Sequence, residues 1–141
     1  MTGPLPKKLG VKEGMRAIFI NAPTEVVEAI ESSSLDVASR LGGAFDYIHC
    51  FTKTQSELEG NFTRLKGHLK PTGMLWVSWP KGKKLQSNLT LPLVIKTGYD
   101  TGLVESKCVS VDSTWSALKF TWPKQGKVYN NSYGQLKVSG H

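Results

Sequence analysis

Short apolar runs recur along the chain, and each is separated from the next by a longer amphipathic stretch. Three runs are almost wholly apolar: RAIFI at residues 16–20, FDYIHCFT at residues 45–52 and MLWVSW at residues 74–79. Runs of this length and composition are typical of strands buried on both faces of a parallel sheet. Residues 106–111 and 115–122 are two more strand patterns, and the short interval between them predicts a hairpin.

Helical patterns fill the intervals between these strands. Residues 24–33 carry apolar positions on one helical face, with Thr24 as the expected N-cap. A second helix begins after Thr54 or Ser56 and has its apolar stripe at Leu58, Phe62, Leu65 and Leu69, with Pro71 and Gly73 ending it. Residues 90–99 form the third, with Pro92 in its first turn, where proline is tolerated.

The remaining segments are predicted to be irregular or marginal. Pro4 and Pro6 favour a loop at the start of the chain. Residues 35–37 are expected to form a brief edge strand. Residues 123–141 are polar and rich in Gly, Asn and Lys, which is typical of a flexible tail. The domain is therefore predicted to cover residues 1–122, and no internal repeat is present.

Strands and helices alternate along this domain and a hairpin closes it. That order predicts a single three-layer Rossmann-like α/β domain, with a mostly parallel sheet and a C-terminal antiparallel hairpin. In such sheets ligands bind beyond the carboxyl ends of the strands. The candidate binding residues at those ends are Asn21, Ala22, Pro23, Thr52, Lys53, Trp79, Pro80, Lys81, Asp112, Thr114, Trp115 and Ser116.

Each candidate also has a purely structural interpretation. Asn21 hydrogen-bonds a ligand or else satisfies the turn before Pro23. Trp79 with Lys81 and the neighbouring lysines offers an aromatic wall and a cation, or else forms a core residue beside a solvated loop. Asp112 to Ser116 supply polar contacts and a stacking surface, or else simply form a turn.

Composition narrows the chemistry. The chain has 141 residues and a formal net charge of +7. This charge allows nucleic-acid binding, but lysines spread over solvated faces also explain it.

Cys50 and Cys108 lie in apolar runs and are expected to be small buried hydrophobes without metal-ligand spacing. His49 lies inside a strand, so a Ser–His hydrolase is not expected. No signal peptide or membrane span is apparent, so a cytoplasmic protein without a membrane partner is predicted.

Two segments, LGVKEGMRAIFINAP and LKGHLKPTGMLWVSWP, resemble the first strand and a later helix and strand of class I methyltransferases that use S-adenosylmethionine. Together with FDYIHCF and VDSTWSALKF, they resemble a family of small bacterial proteins described as a domain of unknown function. The methyltransferase resemblance implies an adenosyl cofactor, a glycine-rich loop after the first strand and an acidic residue ending the second. Here the loop is Asn21-Ala22-Pro23, and Asp36 is the nearest acidic candidate.

Three functions follow as hypotheses. The leading one is a non-catalytic or degenerate methyltransferase-like protein that binds a small molecule or a protein at the carboxyl ends of the strands, with no cofactor assigned and no metal. The second is an active enzyme that uses an adenosyl cofactor, such as S-adenosylmethionine, or a nucleotide. The third is nucleic-acid binding through the basic loop at residues 81–88 and the tail.

Overall fold

The structure, a computed structural model, describes residues 5–31, 35–123, 128–131 and 134–137. Its helices are α1 (Leu5–Leu9), α2 (Thr24–Glu31), α3 (Gln55–Leu65) and α4 (Leu91–Thr101). Its strands are β1 (Arg16–Ile20), β2 (Asp36–Val37), β3 (Phe45–Phe51), β4 (Leu69–Pro80), β5 (Val104–Ser110), β6 (Trp115–Thr121), β7 (Val128–Asn131) and β8 (Gly134–Lys137). Two 3₁₀ segments, Lys66–His68 and Lys81–Gln86, complete the order.

Six strands form one mixed sheet in the order β2-β1-β3-β4-β6-β5. The first four are parallel neighbours, and β6 runs antiparallel to both β4 and β5. Since β6 is antiparallel to both of its neighbours, β5 points the same way as β4. The β5–β6 turn therefore lies at the carboxyl edge of the sheet. The predicted α/β fold with its antiparallel C-terminal hairpin is confirmed.

Helices cover both faces of the sheet, which gives three layers. On one face Leu9 of α1 and Val26 and Ile30 of α2 pack with one core cluster, and on the other the apolar stripes of α3 and α4 pack with a second. α3 begins where Thr54 accepts a hydrogen bond from the Glu57 amide while the Glu57 carboxylate accepts one from the Thr54 amide. This reciprocal cap satisfies two amides that otherwise have no partner.

The predicted α3 is too long at its C-terminal end. The helix ends at Leu65, and Leu69 instead begins β4, paired with Phe45. Pro71 and Gly73 lie within this strand, next to a register shift between Phe45 and Tyr47. A Cβ on Gly73 would lie 2.8 Å from the Phe45 carbonyl oxygen, so glycine permits the close approach of the two strands.

The expected N-terminal loop is also wrong from residue 5 onward. Leu5–Leu9 is helical, because Pro6 falls in the first turn, where its missing amide costs no hydrogen bond. Leu9 is buried, and its carbonyl accepts a hydrogen bond from the Trp76 indole at 3.1 Å. Sequence spacing carries no sign of this distant contact.

Smaller differences concern capping and exposure. Thr24 is the first helical residue rather than the N-cap, because the Pro23 carbonyl already accepts from the amides of Val26 and Val27. Cys108 is exposed, since β5 is an edge strand, whereas Cys50 is buried as expected. The brief edge strand is present as β2.

The C-terminal region contains a small second sheet. β7 and β8 pair antiparallel, and the β8 backbone lies beside α4. The other residues of the predicted tail between 124 and 141 lie outside the described residues, so the tail's flexibility stays a prediction. No helix among the described residues is long and apolar enough to cross a membrane. A cytoplasmic location also stays a prediction.

Candidate binding site at the carboxyl edge of the sheet

The connections of the chain diverge at β1. From β1 the chain passes through α2 to β2 on one side, and it then returns to β3 on the other side of β1. α2 and α3 therefore lie against opposite faces, and the carboxyl ends of β1 and β3 separate above them. A reversal of this kind is the topological switch point, where open α/β sheets form their ligand crevices.

A cavity of about 390 Å³ lies at this position. Its lining comes from the end of β1, the end of β3, the start of α3, the Lys81–Gln86 segment and the hairpin: Asn21, Ala22, Pro23, Phe51, Lys53, Glu57, Leu85 and Trp115. The structure thus brings together five of the candidate residues from the sequence, Asn21, Ala22, Pro23, Lys53 and Trp115.

Aromatic rings form one wall of this switch-point cavity. Phe51 and Trp115 contact each other edge to face, with ring centroids 5.0 Å apart. Beneath them, the His49 imidazole stacks on the Phe51 ring at 4.5 Å. Edge-to-face pairs fix ring orientation as well as burying area, so this wall is rigid.

The two titratable lining residues, Lys53 and Glu57, lie on the side of α3. Glu57 Oε1 accepts hydrogen bonds from the Lys53 and Thr54 amides at 2.9 and 3.3 Å. The Lys53 ammonium forms no ion pair within the described part of the chain. The site therefore pairs a rigid apolar wall with one unneutralised cation and one carboxylate already engaged by backbone amides.

The hairpin tip is held together by its own turn. Asp112 Oδ1 accepts from the amides of Thr114 and Trp115, both at 2.8 Å. The Thr114 carbonyl accepts from the Lys81 amide at 2.7 Å. Asp112 and Thr114 thus orient Trp115 toward the cavity and do not line it themselves.

Three other candidates lie at a second cavity of about 350 Å³. Trp79, Lys81 and Ser116 line it together with Cys108 and the start of α4. Trp79 packs in the core cluster of α3 and α4, whereas Trp115 packs in that of α1 and α2. Adjacent strand residues face opposite sides of a sheet, which is why residues that are neighbours along the edge divide between two cavities.

Thr52 lines neither of these two cavities. It is buried, and its hydroxyl has no hydrogen-bond partner among the described residues. Its amide donates to the Ser78 carbonyl at 2.9 Å, which continues the pairing of β3 with β4 beyond Phe51.

The sequence analysis missed three lining residues: Phe51, Glu57 and Leu85. The alternation of β3 places Phe51 on the same face as Tyr47 and His49. Strand periodicity in the sequence therefore predicts the face on which the Phe51 side chain lies. Glu57 follows the cap candidate Thr54 by three residues, a spacing that indicates the start of a helix rather than a binding residue. Leu85 lies in a basic, polar stretch that carries no sign of a binding residue.

The buried side chains of His49 and Cys50 are not in a reactive protonation state at neutral pH. His49 hydrogen-bonds to the Tyr47 hydroxyl at 2.5 Å and to Ser78 Oγ at 2.6 Å, and burial lowers its pKa from 6.5 to about 3. Burial also raises the pKa of the Cys50 thiol to about 12. A neutral imidazole and a protonated thiol sealed in the core do not supply a general base or a nucleophile at neutral pH. No cluster of three potential metal ligands occurs among the described residues.

Solved methyltransferases share this architecture at low sequence identity. Precorrin-6y C5,15-methyltransferase from Geobacter metallireducens is similar with a TM-score of 0.60 and 10% identity, over 84% of this chain and 86% of that chain. The chain has a methyltransferase-like fold. The ribosomal protein L11 methylase from Lactobacillus delbrueckii subsp. bulgaricus has a TM-score of 0.55 and 14% identity, over 85% of this chain and 76% of that one.

Some of the similar structures hold S-adenosylmethionine. The Aeropyrum pernix fibrillarin with natively bound S-adenosyl-L-methionine has a TM-score of 0.53 and 11% identity, over 86% of this chain and 70% of that chain. At such identities the likeness shows the fold alone. No protein-family model and no curated protein sequence matches this chain. The resemblance to a family of small bacterial proteins stays a prediction.

The residues present do not reproduce the cofactor cradle that the methyltransferase resemblance implies. Asp36 pairs with Arg16 at the beginning of β1, so it lies at the amino end of the sheet. β1 continues four residues further, about 13 Å at strand spacing, before the carboxyl edge is reached. The β1 turn contains Ala22 and Pro23 in place of glycines. Asp36 therefore does not fit as the ribose-binding acid.

Proposed function

We propose that this protein binds a small molecule in the switch-point cavity and that it does so without transferring a methyl group. The observation that carries the proposal is the position of the cavity, at the reversal of strand order and beyond the carboxyl ends of β1 and β3. Open α/β sheets form their ligand crevices at this place, where the strand ends and the loops that follow them meet.

The lining favours binding over catalysis. Its titratable side chains are Lys53 and Glu57, and one oxygen of Glu57 is occupied by the cap of α3. His49, the nearest imidazole, is separated from the cavity by the Phe51 ring that it stacks on. A general base must lie within hydrogen-bond reach of the proton it removes, and this lining offers no well-placed one.

An active enzyme with an adenosyl cofactor is the second candidate. It is favoured by the fold, because similar structures include a fibrillarin with S-adenosyl-L-methionine and a magnesium protoporphyrin IX methyltransferase with SAH. It requires the cofactor to bind in a pose that uses neither a glycine-rich loop nor an acid at the end of β2.

A ligand screen with a matched pair of tryptophan variants tests the proposal. The probes are S-adenosylmethionine, its demethylated product, common nucleotides and a set of small aromatic metabolites, measured by thermal shift and then by calorimetry. A ligand at about one hundred times its dissociation constant adds about 2.7 kcal/mol and raises the melting temperature by several degrees.

Trp115→Phe should weaken binding about fivefold, because it removes about 40 Å² of apolar contact. Trp122→Phe is the control, since its indole donates to the Leu69 carbonyl, the first residue of β4, far from the cavity edge. Equal affinity in the two variants, or no ligand at all, would contradict the proposed function. Methyl transfer from S-adenosylmethionine that depends on Trp115 would establish the second candidate instead.

A further inference from the structure

Two non-glycine residues in the described part of the chain have left-handed backbone, and both line the switch-point cavity. They are Asn21, with φ of 57°, and Leu85, with φ of 55°. Asparagine visits this region readily, but a leucine there costs about 1–2 kcal/mol. Strained backbone of this kind persists where the surroundings impose it, and it concentrates at ligand sites.

Hydrogen bonds on both sides of Leu85 hold its segment in place. On its N-terminal side, the Lys84 ammonium donates to the Ser113 carbonyl of the hairpin tip at 2.9 Å. On its C-terminal side, the Asn88 amide donates to the Lys53 carbonyl at 3.2 Å, and Asn88 Oδ1 accepts from the Gln55 amide at 3.0 Å. The segment therefore bridges the hairpin and the start of α3 across the carboxyl edge.

This anchoring gains no core packing for Leu85, which remains 50% exposed. Burial of the Leu85 side chain therefore does not offset the cost of its left-handed backbone. Leu85 lines the same cavity as Trp115 and Phe51. An apolar group bound in the cavity would contact all three side chains.

Charge indicates the other end of the ligand. Lys53 lines the same cavity, and its ammonium has no ion-pair partner among the described residues. The Asn21 carboxamide, beside it in the lining, is exposed and can donate a hydrogen bond. Glu57 already accepts from two backbone amides, so its charge is partly balanced.

We propose that the ligand is a planar aromatic molecule bearing an anionic group, and that Leu85 is its specificity-determining contact. The ring packs between Leu85 and the Phe51–Trp115 pair, and the anion meets Lys53 and Asn21. This inference rests on the proposed function and adds the ligand class to it.

Two probes that share the naphthalene ring, one anionic and one neutral, test the class: 2-naphthoate and 2-naphthalenemethanol, titrated by calorimetry into the full chain. The carboxylate should bind about tenfold more tightly than the alcohol, as expected for a charge-assisted hydrogen bond. Lys53→Gln should remove that preference. Lys96→Gln, which removes a cation from the exposed pair with Asp100 on α4, should keep it.

Leu85→Gly separates a binding role from a structural one. It should weaken both probes about fivefold while raising the melting temperature above that of Leu85→Ala by a few degrees, because only glycine relieves the left-handed backbone. Leu91→Ala, an exposed leucine of the second cavity, should leave both affinities unchanged.

Each outcome bears on one of the two proposals. If neither naphthalene binds but an uncharged aromatic metabolite of the screen binds with dependence on Trp115, the ligand class is overturned and the proposed function stands. If Leu85→Gly leaves probe affinity unchanged, the role of Leu85 is overturned. If no ligand of either set binds, both the ligand class and the proposed function fall.

Discussion

At the scale of single residues, His49 lies behind the aromatic wall of the cavity and makes the free energy of unfolding depend on pH. Its imidazole is fully buried between Tyr47 and Ser78, and burial lowers its pKa to about 3. In the unfolded chain the same group takes up a proton near pH 6.5. Between those values the unfolded state binds the extra proton, so the free energy of unfolding must fall as the pH falls.

We therefore expect stability to decrease by up to about 1.4 kcal/mol per pH unit between pH 6 and pH 4.5 from this group alone. The window lies above the range in which Asp46, whose pKa is lowered chiefly by a hydrogen bond from the Arg16 amide, takes up its proton. Urea denaturation at several pH values measures the slope. His49→Gln should flatten it by about one proton.

Tyr47→Phe serves as the control for this prediction. It removes the hydroxyl that contacts His49 Nδ1 but keeps the buried imidazole, so it should lower stability while the slope persists. An unchanged slope in His49→Gln would mean that another group titrates in this window.

Residue-level sequence reasoning succeeded where local pattern decides the outcome. His49 was predicted to be a core histidine because its run is apolar, and it is buried. Cys108 was predicted to be buried for the same reason, yet the edge position of β5 exposes it. Edge or centre is a property of strand order, which a single apolar run does not encode. Leu85 was missed because its place in the cavity lining depends on anchors on the hairpin and at the start of α3.

At the scale of elements, α3 and α4 each contain one glycine whose surroundings differ sharply. A Cβ on Gly98 of α4 would lie 2.0 Å from the Phe120 ring, which is fully buried on β6. A Cβ on Gly60 of α3 would meet nothing within 4 Å. Gly98 therefore sets the distance between α4 and the sheet, whereas Gly60 only weakens its helix.

We expect opposite signs for the same substitution. Gly60→Ala should raise the free energy of unfolding by about 0.5–1 kcal/mol through helix propensity. Gly98→Ala gains the same propensity but overpacks the core, so it should lower stability by about 1–3 kcal/mol. Chemical denaturation of the two variants measures both. Stabilisation by Gly98→Ala would show that α4 can move away from Phe120 at little cost.

Element boundaries show where sequence patterns stop being sufficient. The strands β1 and β3 follow from apolar runs. The start of α3 follows from two cap candidates, Thr54 and Ser56, of which Thr54 is the observed N-cap. These signals are local. The boundary between α3 and β4 does not follow from local signals, because Leu69 fits the helical stripe as well as it fits a strand. Pairing with Phe45 decides it, and that pairing depends on a residue 24 positions away.

At the scale of the whole molecule, the alternation of strands and helices predicted the α/β fold and placed the candidate residues at one edge. It did not predict that the edge would divide them, with Trp115 at the switch-point cavity and Trp79 at another. The division follows from the parity of β4 and β6, which pair Trp79 with Ser116 and Pro80 with Trp115. Whether the second cavity also takes a ligand is a separate question from the one proposed for the first.

The described core ends close to the predicted boundary of the domain at residue 122. The six-stranded sheet is complete at Thr121, and the described core side chains end with Trp122. A chain ending at Pro123 should therefore unfold cooperatively, with a free energy of unfolding within about 1 kcal/mol of the full chain, since β8 lies beside α4 without joining the main sheet. Loss of cooperative unfolding would assign the C-terminal region to the core.

The same shortened chain tests nucleic-acid binding, because the removed segment carries Lys124, Lys127 and Lys137 and no acidic residue. Two lysines of the basic loop are already engaged, Lys81 with Ser110 Oγ and Lys84 with the Ser113 carbonyl. The nucleic-acid hypothesis assigns part of the phosphate contact to the tail. Binding to a labelled single strand should then weaken with salt, and shortening should reduce the salt slope by about two to three contacts. Salt-independent binding, or a slope that shortening leaves unchanged, would argue against the tail as a nucleic-acid contact.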